Sequence, residues 1–227
     1  MGELIMAEKE EKQTSSKRLN GFLEKNRKLL IVVLIAIVVC LIGFIVAVSV
    51  SANQKEKNLS RIDEISFTMT DASQSLEEGE LTARKTDALD KLQELVNKGG
   101  IVGARANLLS AEISYQMKKY EDALNYWKAA AAKSKKTYIE PIAYYQIAVC
   151  YEQLGNAEEA AVNYKLAADS KDFALACHAK FSYGRVLESL GKTEEAIAVY
   201  TELNDSNPSD DWAKLAKSRL ILLKTSK

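Results

Sequence analysis

The chain is poor in the residues from which most active sites are built. Its 227 residues include one histidine, His178, and three cysteines, Cys40, Cys150 and Cys177. A single imidazole has no partner with which to share a metal, and no Cys-x-x-Cys or zinc-type spacing occurs. There is no nucleophile elbow, phosphate-cradling glycine loop or His-Glu-x-x-His motif. The pairs Glu158-Glu159 and Glu194-Glu195 open helical patterns, where acidic residues complement the helix dipole. No catalytic residue, cofactor, metal or small-molecule substrate is expected, and an enzyme is the lesser alternative. Two prolines and 10 glycines are too few for long disordered or low-complexity tracts. Net charge is also missing, since 31 basic residues balance 31 acidic ones. Neutralising phosphates needs a basic surface, so no nucleic-acid partner is expected. β-Branched residues are scarce outside one segment and alanine is plentiful, which predicts an all-α chain.

That one segment is Leu29 to Val50, LLIVVLIAIVVCLIGFIVAVSV, 22 residues without a charge. As a helix rising about 1.5 Å per residue it spans roughly 33 Å, enough to cross a hydrocarbon core. Lys12, Lys17, Arg18, Lys25, Arg27 and Lys28 precede it, against Lys55, Lys57 and Arg61 just after. The bias predicts a cytoplasmic N-terminus. Residues 1–28 then form a basic cytoplasmic tail, 29–50 a single-pass anchor, 51–57 a linker and 58–227 an extracytoplasmic domain. The 177 residues beyond the anchor hold 24 basic and 26 acidic side chains. A cleaved signal peptide is the competing reading, with Ala47-Val48-Ser49 as its small-residue site. The apolar run exceeds the 7–15 residues usual in such signals. Cys150 and Cys177 fall in helices expected to pack and are read as buried free thiols.

Beyond the anchor, Leu59, Ile62, Ile65, Met69, Ala72 and Leu76 recur at helical spacing, and Ala88, Leu92 and Leu95 continue it up to Gly99-Gly100. Two helices are expected, jointed at Glu77 to Leu81. From there the sequence repeats. Ala111, Ala148 and Gly184 are small residues 37 and 36 apart, and Ala123, Ala160 and Ala196 follow each by 12. Trp127, Tyr164 and Tyr200 come four residues later still. Gly155 and Gly191 lie five before their alanines, and Lys118 takes that place in the first copy. The pattern describes antiparallel helix pairs that cross at small residues, with an aromatic filling the gap between one pair and the next. One pair cannot bury its own apolar face, so the pairs must stack.

At these residues the chain resembles the tetratricopeptide repeat family. Three clear copies cover approximately 104–136, 141–173 and 177–210. Residues 58–98 resemble a degenerate upstream copy in which Leu76 replaces the small residue. The segment DDWAKLAKSRLILLK resembles the helix that closes such arrays, with Trp212, Leu215, Ala216, the Arg219 stem, Leu220 and Leu223 covering the last repeat. The resemblance implies an all-α architecture: one transmembrane helix, then an α-solenoid. It also implies a concave groove, lined by the first helix of each copy, that receives protein partners. Arg105, Leu108, Glu112, Tyr115 and Gln116 map there from the first copy. Ile142, Tyr145, Val149, Glu152 and Gln153 follow from the second, then His178, Phe181, Arg185 and Glu188 from the third. Tyr115, Tyr145 and Phe181 are candidate anchors, with packing in the seam between helices as the alternative for each.

The whole layout resembles the family of ancillary subunits of the bacterial SecYEG translocon. The matching features are the basic segment Phe22 to Lys28, the span after it, the exported array and the closing helix. That resemblance implies a single-pass protein of the bacterial inner membrane with its repeats in the periplasm. Its implied partners are translocon subunits and a periplasmic chaperone or unfolded exported chains. A scaffold for cell-envelope synthesis or division has the same layout and stays open.

Ala160 stands mid-array, where a larger side chain would push two backbones apart. Ala160→Leu is expected to cost about 1–3 kcal/mol. A thermal melt of the variant should fall clearly below that of the parent, and an unchanged melt would mean the repeat register is wrong.

Overall fold

A computed structural model describes residues 23–71, 76–171 and 173–225. Lys12, Lys17, Arg18, Phe22 and Ala72, on which expectations above rest, lie outside the described residues. Among the described residues every regular element is an α-helix. The chain divides into two compact units, one up to Glu56 and one from Lys57.

The first unit is dominated by the start of α1 (Arg27–Thr70). Leu29 to Val50 are helical throughout and exposed on every side, with Val32, Leu34, Phe44 and Ile45 pointing outward around the rod. An apolar helix without a polar face fits a hydrocarbon environment. Among the described residues it is the one helix long and apolar enough to cross a membrane. Residues 51–57, expected as a linker, continue the helix. Gln54, Lys55, Glu56 and Lys57 are good helix formers with no breaker among them.

The second unit takes the last turns of α1 and then α2 (Glu78–Val96), α3 (Gly100–Gln116), α4 (Tyr120–Lys133), α5 (Ile139–Gln153), α6 (Ala157–Ala168), α7 (Ala176–Ser189), α8 (Thr193–Ser206) and α9 (Asp211–Thr225). From α2 to α9 each helix packs on the next, and α9 also reaches α7. This is a tetratricopeptide-type solenoid: an upstream pair, α1 end with α2, three regular pairs and a closing helix. Ile62, Ile65 and Met69 of α1 join Leu92, Leu95, Leu109 and Ile113 in one core, so the degenerate pair is packed onto the first clear copy.

The joint of the upstream pair lies earlier than the expected Glu77 to Leu81. Helix α1 ends at Thr70 and α2 begins at Glu78, which leaves Leu76 in the connection. Polar groups gather at this end. The Thr68 and Thr70 hydroxyls bond back to the carbonyls of Glu64 and Ser66, and Arg84 Nη1 donates to the Asp71 carbonyl at 2.8 Å. Glu78 and Glu80 then open α2, matching its N-terminal dipole.

Within the regular pairs the small residues are where the backbones meet. Ala111, Ala148, Ala123, Ala160 and Ala196 are fully buried. At Gly184 a methyl group would stand 2.5 Å from Tyr200 Cε1, so even alanine would collide with the ring. Trp127, Tyr164 and Tyr200 are likewise buried. Each ring belongs to the core of its own pair and reaches the next first helix: Trp127 clusters with Ala143 and Ile147, and Tyr200 with Ala213 and Ala216.

The turn inside each pair repeats as closely as the crossing does. Gly155 and Gly191 adopt φ of 77° and 73°. Their N–H groups donate to the carbonyls of Glu152 and Glu188, and the next residues donate to Tyr151 and Leu187. That is the left-handed helix stop in which two orphan carbonyls are satisfied. Lys118 completes the same two bonds, to Tyr115 and through Lys119 to Ser114, at φ 59°. A side chain there crowds the following carbonyl and costs roughly 1–2 kcal/mol. Lys118→Gly should therefore raise stability, by about 1 kcal/mol once the added freedom of the unfolded chain is subtracted. Gly191→Ala should lower it by a similar amount. Thermal melts of both variants in the detergent-solubilised chain check the pair, and a destabilised Lys118→Gly would contradict the strain.

Candidate functional site

The first helices α3, α5 and α7 carry the residues assigned to the groove, and the structure ties many of them to one another. Glu152 on α5 accepts hydrogen bonds from Tyr164 Oη of its own pair at 2.5 Å and from Arg185 Nη2 of the next pair at 2.7 Å. Glu188 on α7 repeats the arrangement, accepting from Tyr200 Oη at 2.6 Å and from both Nε and Nη2 of Arg219 on α9. Each carboxylate thus joins three helices. Burial works to raise the Glu188 carboxyl, but the bonds from Arg219 and Tyr200 win and hold it below its usual range. Burial and the facing carboxylates push the Tyr164 and Tyr200 hydroxyls well up, so both stay protonated donors.

An aromatic seam runs beside these clasps. The Tyr145 hydroxyl lies 3.1 Å and 3.2 Å from the two ring nitrogens of His178. His178 stacks on Trp212 of α9, with centroids 3.7 Å apart and planes 6° from parallel. Tyr145 also meets Tyr164 edge-on at 5.4 Å, and Phe181 packs against Tyr200 and Trp212. Burial, with Arg185 nearby, lowers the His178 pKa, which favours a neutral ring for this stack.

The remaining assigned residues are less engaged. Leu108, Ile142 and Val149 are half-buried, as is Tyr115, whose ring meets Tyr120 edge-on at 5.2 Å. Arg105 pairs with Asp63 of α1 at 2.6 Å. Glu112, Gln116 and Gln153 are exposed. Trp212, Arg219, Tyr164, Tyr200 and Phe173, whose ring lies 6.4 Å from that of Tyr145, complete the network without having been assigned to the groove. One signal was in the sequence: Glu152 and Glu188 each stand 12 residues before their tyrosine. In the first copy Tyr115 and Trp127 hold those places, so carboxylate and hydroxyl vanish together.

Among the described residues no group of three His, Cys, Asp or Glu side chains is placed to hold a metal. Cys40, Cys150 and Cys177 are free thiols; Cys150 is buried, which pushes it up to about 11, far from a reactive thiolate, whereas Cys177, expected to be buried, is only half-buried near the start of α7. Glu158, Glu159, Glu194 and Glu195 stand exposed in the first turns of α6 and α8.

Stacked helix pairs with a face of mixed aromatic and charged groups define a repeat scaffold, a fold that typically binds proteins and carries no catalysis. The chain matches the tetratricopeptide repeat-like domain over residues 20–225 and belongs to that family. A TPR repeat-containing protein of Treponema pallidum (strain Nichols) is 29% identical over 222 residues, 91% of this chain and 93% of the relative. Among solved structures, a Podosopora anserina protein with nearly identical TPR-like repeats matches with a TM-score of 0.56 at 8% identity. It covers 75% of this chain and 87% of that one, a likeness of fold. A Rap protein complexed with competence and sporulation factor gives a TM-score of 0.47 at 22% identity, covering 62% of this chain. This chain spans 40% of that protein's length.

Tyr145 and Phe181 are half-buried, each with one side against a buried tyrosine. Truncating a fully buried aromatic costs about 3–5 kcal/mol, so about 2 kcal/mol is expected for each of these. The Tyr145→Ala/Phe181→Ala double variant should melt several degrees lower. A melt identical to the parent would place both rings wholly in the open groove.

Proposed function

We propose that the chain is a membrane-anchored protein–protein interaction scaffold of a bacterial inner membrane that attends protein export. In this reading residues 1–28 are cytoplasmic, 29–50 cross the membrane, 51–57 lead out of it, and 58–227 stand in the periplasm. The face of α3, α5 and α7 holds translocon subunits, a periplasmic chaperone or an unfolded exported chain near the channel. The observation that carries the scaffold reading is that face itself: half-buried Leu108, Tyr115, Ile142, Tyr145 and Val149 on a family fold built to bind proteins. Rigid aromatics and aliphatics of this kind bury much area at small entropic cost. The family match begins at residue 20, so it takes in the apolar helix together with the repeats, which supports anchoring. The Treponema relative supports a bacterial setting. Lys25, Arg27 and Lys28 before the span support the orientation, and the overall layout supports the export role.

Photo-crosslinking in cells tests both levels. Benzoylphenylalanine placed at exposed Gln116 or Gln153 should crosslink to translocon subunits, a periplasmic chaperone or exported chains, whereas the same probe at exposed Val162 on α6 should not. Crosslinks from Val162 alone would move the binding face. Crosslinks from Gln116 and Gln153 to envelope-synthesis or division proteins would keep the scaffold and replace its partners.

A further inference from the structure

The clasps that lock one first helix to the next are present between α5 and α7 and between α7 and α9. Between α3 and α5 the repeat has other residues in those places. Tyr115 stands where Glu152 and Glu188 stand in later copies, and Val149 stands where Arg185 does. Glu112 holds that second place on α3, one residue after Ala111. Every other charged side chain on α3, α5 and α7 has a hydrogen-bond or ion-pair partner. Glu112 alone has none among the described residues.

Glu112 is exposed, and its nearest neighbours along that face of α3 are apolar. Leu108 lies one turn before it and Tyr115 one turn after it on the same face of α3. Both are half-buried, like Val149 and Ile142 on the facing helix. Partial desolvation raises the Glu112 carboxyl above its ordinary value. A carboxylate in that setting is stabilised by a cation that desolvates with it, and hydrogen bonds to charged groups are the strong ones. One carboxylate does not make a metal site, so the cation that fits is a side-chain ammonium or guanidinium. Apolar neighbours on either side of Glu112 fit apolar residues flanking that basic one.

We infer that the α3–α5 stretch of the groove selects an extended peptide segment bearing one basic residue among apolar ones, with Glu112 as its counter-ion. The inference rests on the groove reading above and adds a rule of selection to it. The test uses the full chain in uncharged detergent and short fluorescent leucine–alanine peptides with a central lysine, norleucine or glutamate. Fluorescence anisotropy should show the lysine peptide binding about ten-fold more tightly than the norleucine peptide, with the glutamate peptide weakest. Glu112→Gln should remove the lysine advantage, so that lysine and norleucine peptides bind the variant alike. Equal binding of lysine and norleucine peptides by the parent, or a lysine advantage surviving in Glu112→Gln, would overturn the selection rule alone. If no peptide binds, the groove and the rule fall together.

Discussion

The close approach of two helices over a residue no larger than alanine is the constraint from which the array follows. At Gly184 there is no room even for a methyl group, because the Tyr200 ring already occupies that space. The small residue and the large ring are therefore one device: the first lets the backbones approach, and the second fills the volume that approach leaves beside them. Because the ring extends past its own pair, it also presents a surface that only the next helix can cover. Tyr200 gives that surface to Ala213 and Ala216 of α9. Stacking is thus written into each pair, and α9 is needed for the same reason as every other first helix.

Polar groups sharpen what packing begins. A tyrosine buried for its ring carries a hydroxyl into the core, and an unpaired hydroxyl there costs free energy. Glu152 and Glu188 accept those hydroxyls, and the carboxylates in turn need a cation. Arg185 and Arg219 provide it from the following helix. Each step answers a cost left by the one before, and the outcome is a clasp across the interface between pairs. Where the ring is Trp127 no hydroxyl enters, and neither carboxylate nor arginine is required. The chemistry of the face accordingly changes along the array: its later part is committed to internal pairs, and its earlier part has no such clasp.

Much of this was legible in the sequence because packing inside one pair leaves its mark at fixed short spacings. The crossings at Ala123, Ala160 and Ala196 and the turns at Gly155 and Gly191 could be placed from periodicity alone. Lys118 could also be placed at the turn, although its residue type argues against a left-handed backbone. The joint of the upstream pair was not legible. Apolar spacing runs on through Ala72 and Leu76, while the helix stops at Thr70 and Arg84 reaches back to the Asp71 carbonyl, a contact that spacing does not register. Contacts between pairs were the harder part. Glu152 to Arg185 and Glu188 to Arg219 are 33 and 31 residues apart, so their meeting depends on how the pairs stack. Trp212 was expected only as an apolar cover, and its stack on His178 follows from where α9 docks.

A repeat array gains binding specificity by breaking its own period. Identical pairs would present the same groups at every step and would hold any register of an extended ligand equally well. Positions fixed by the crossing cannot vary, since a change there separates the backbones. Variation is left to the exposed or half-buried places of the first helices, where the charge changes from Glu112 to Val149 to Arg185 at one equivalent position. Arg185 is consumed by the scaffold and Val149 offers only surface, so the three copies are not interchangeable to a ligand. The same fold that makes the face rigid therefore also makes it polar at one end in a different way from the other. If this face is the groove proposed above, a ligand lying across it would have one register in which its charged and apolar groups are all matched.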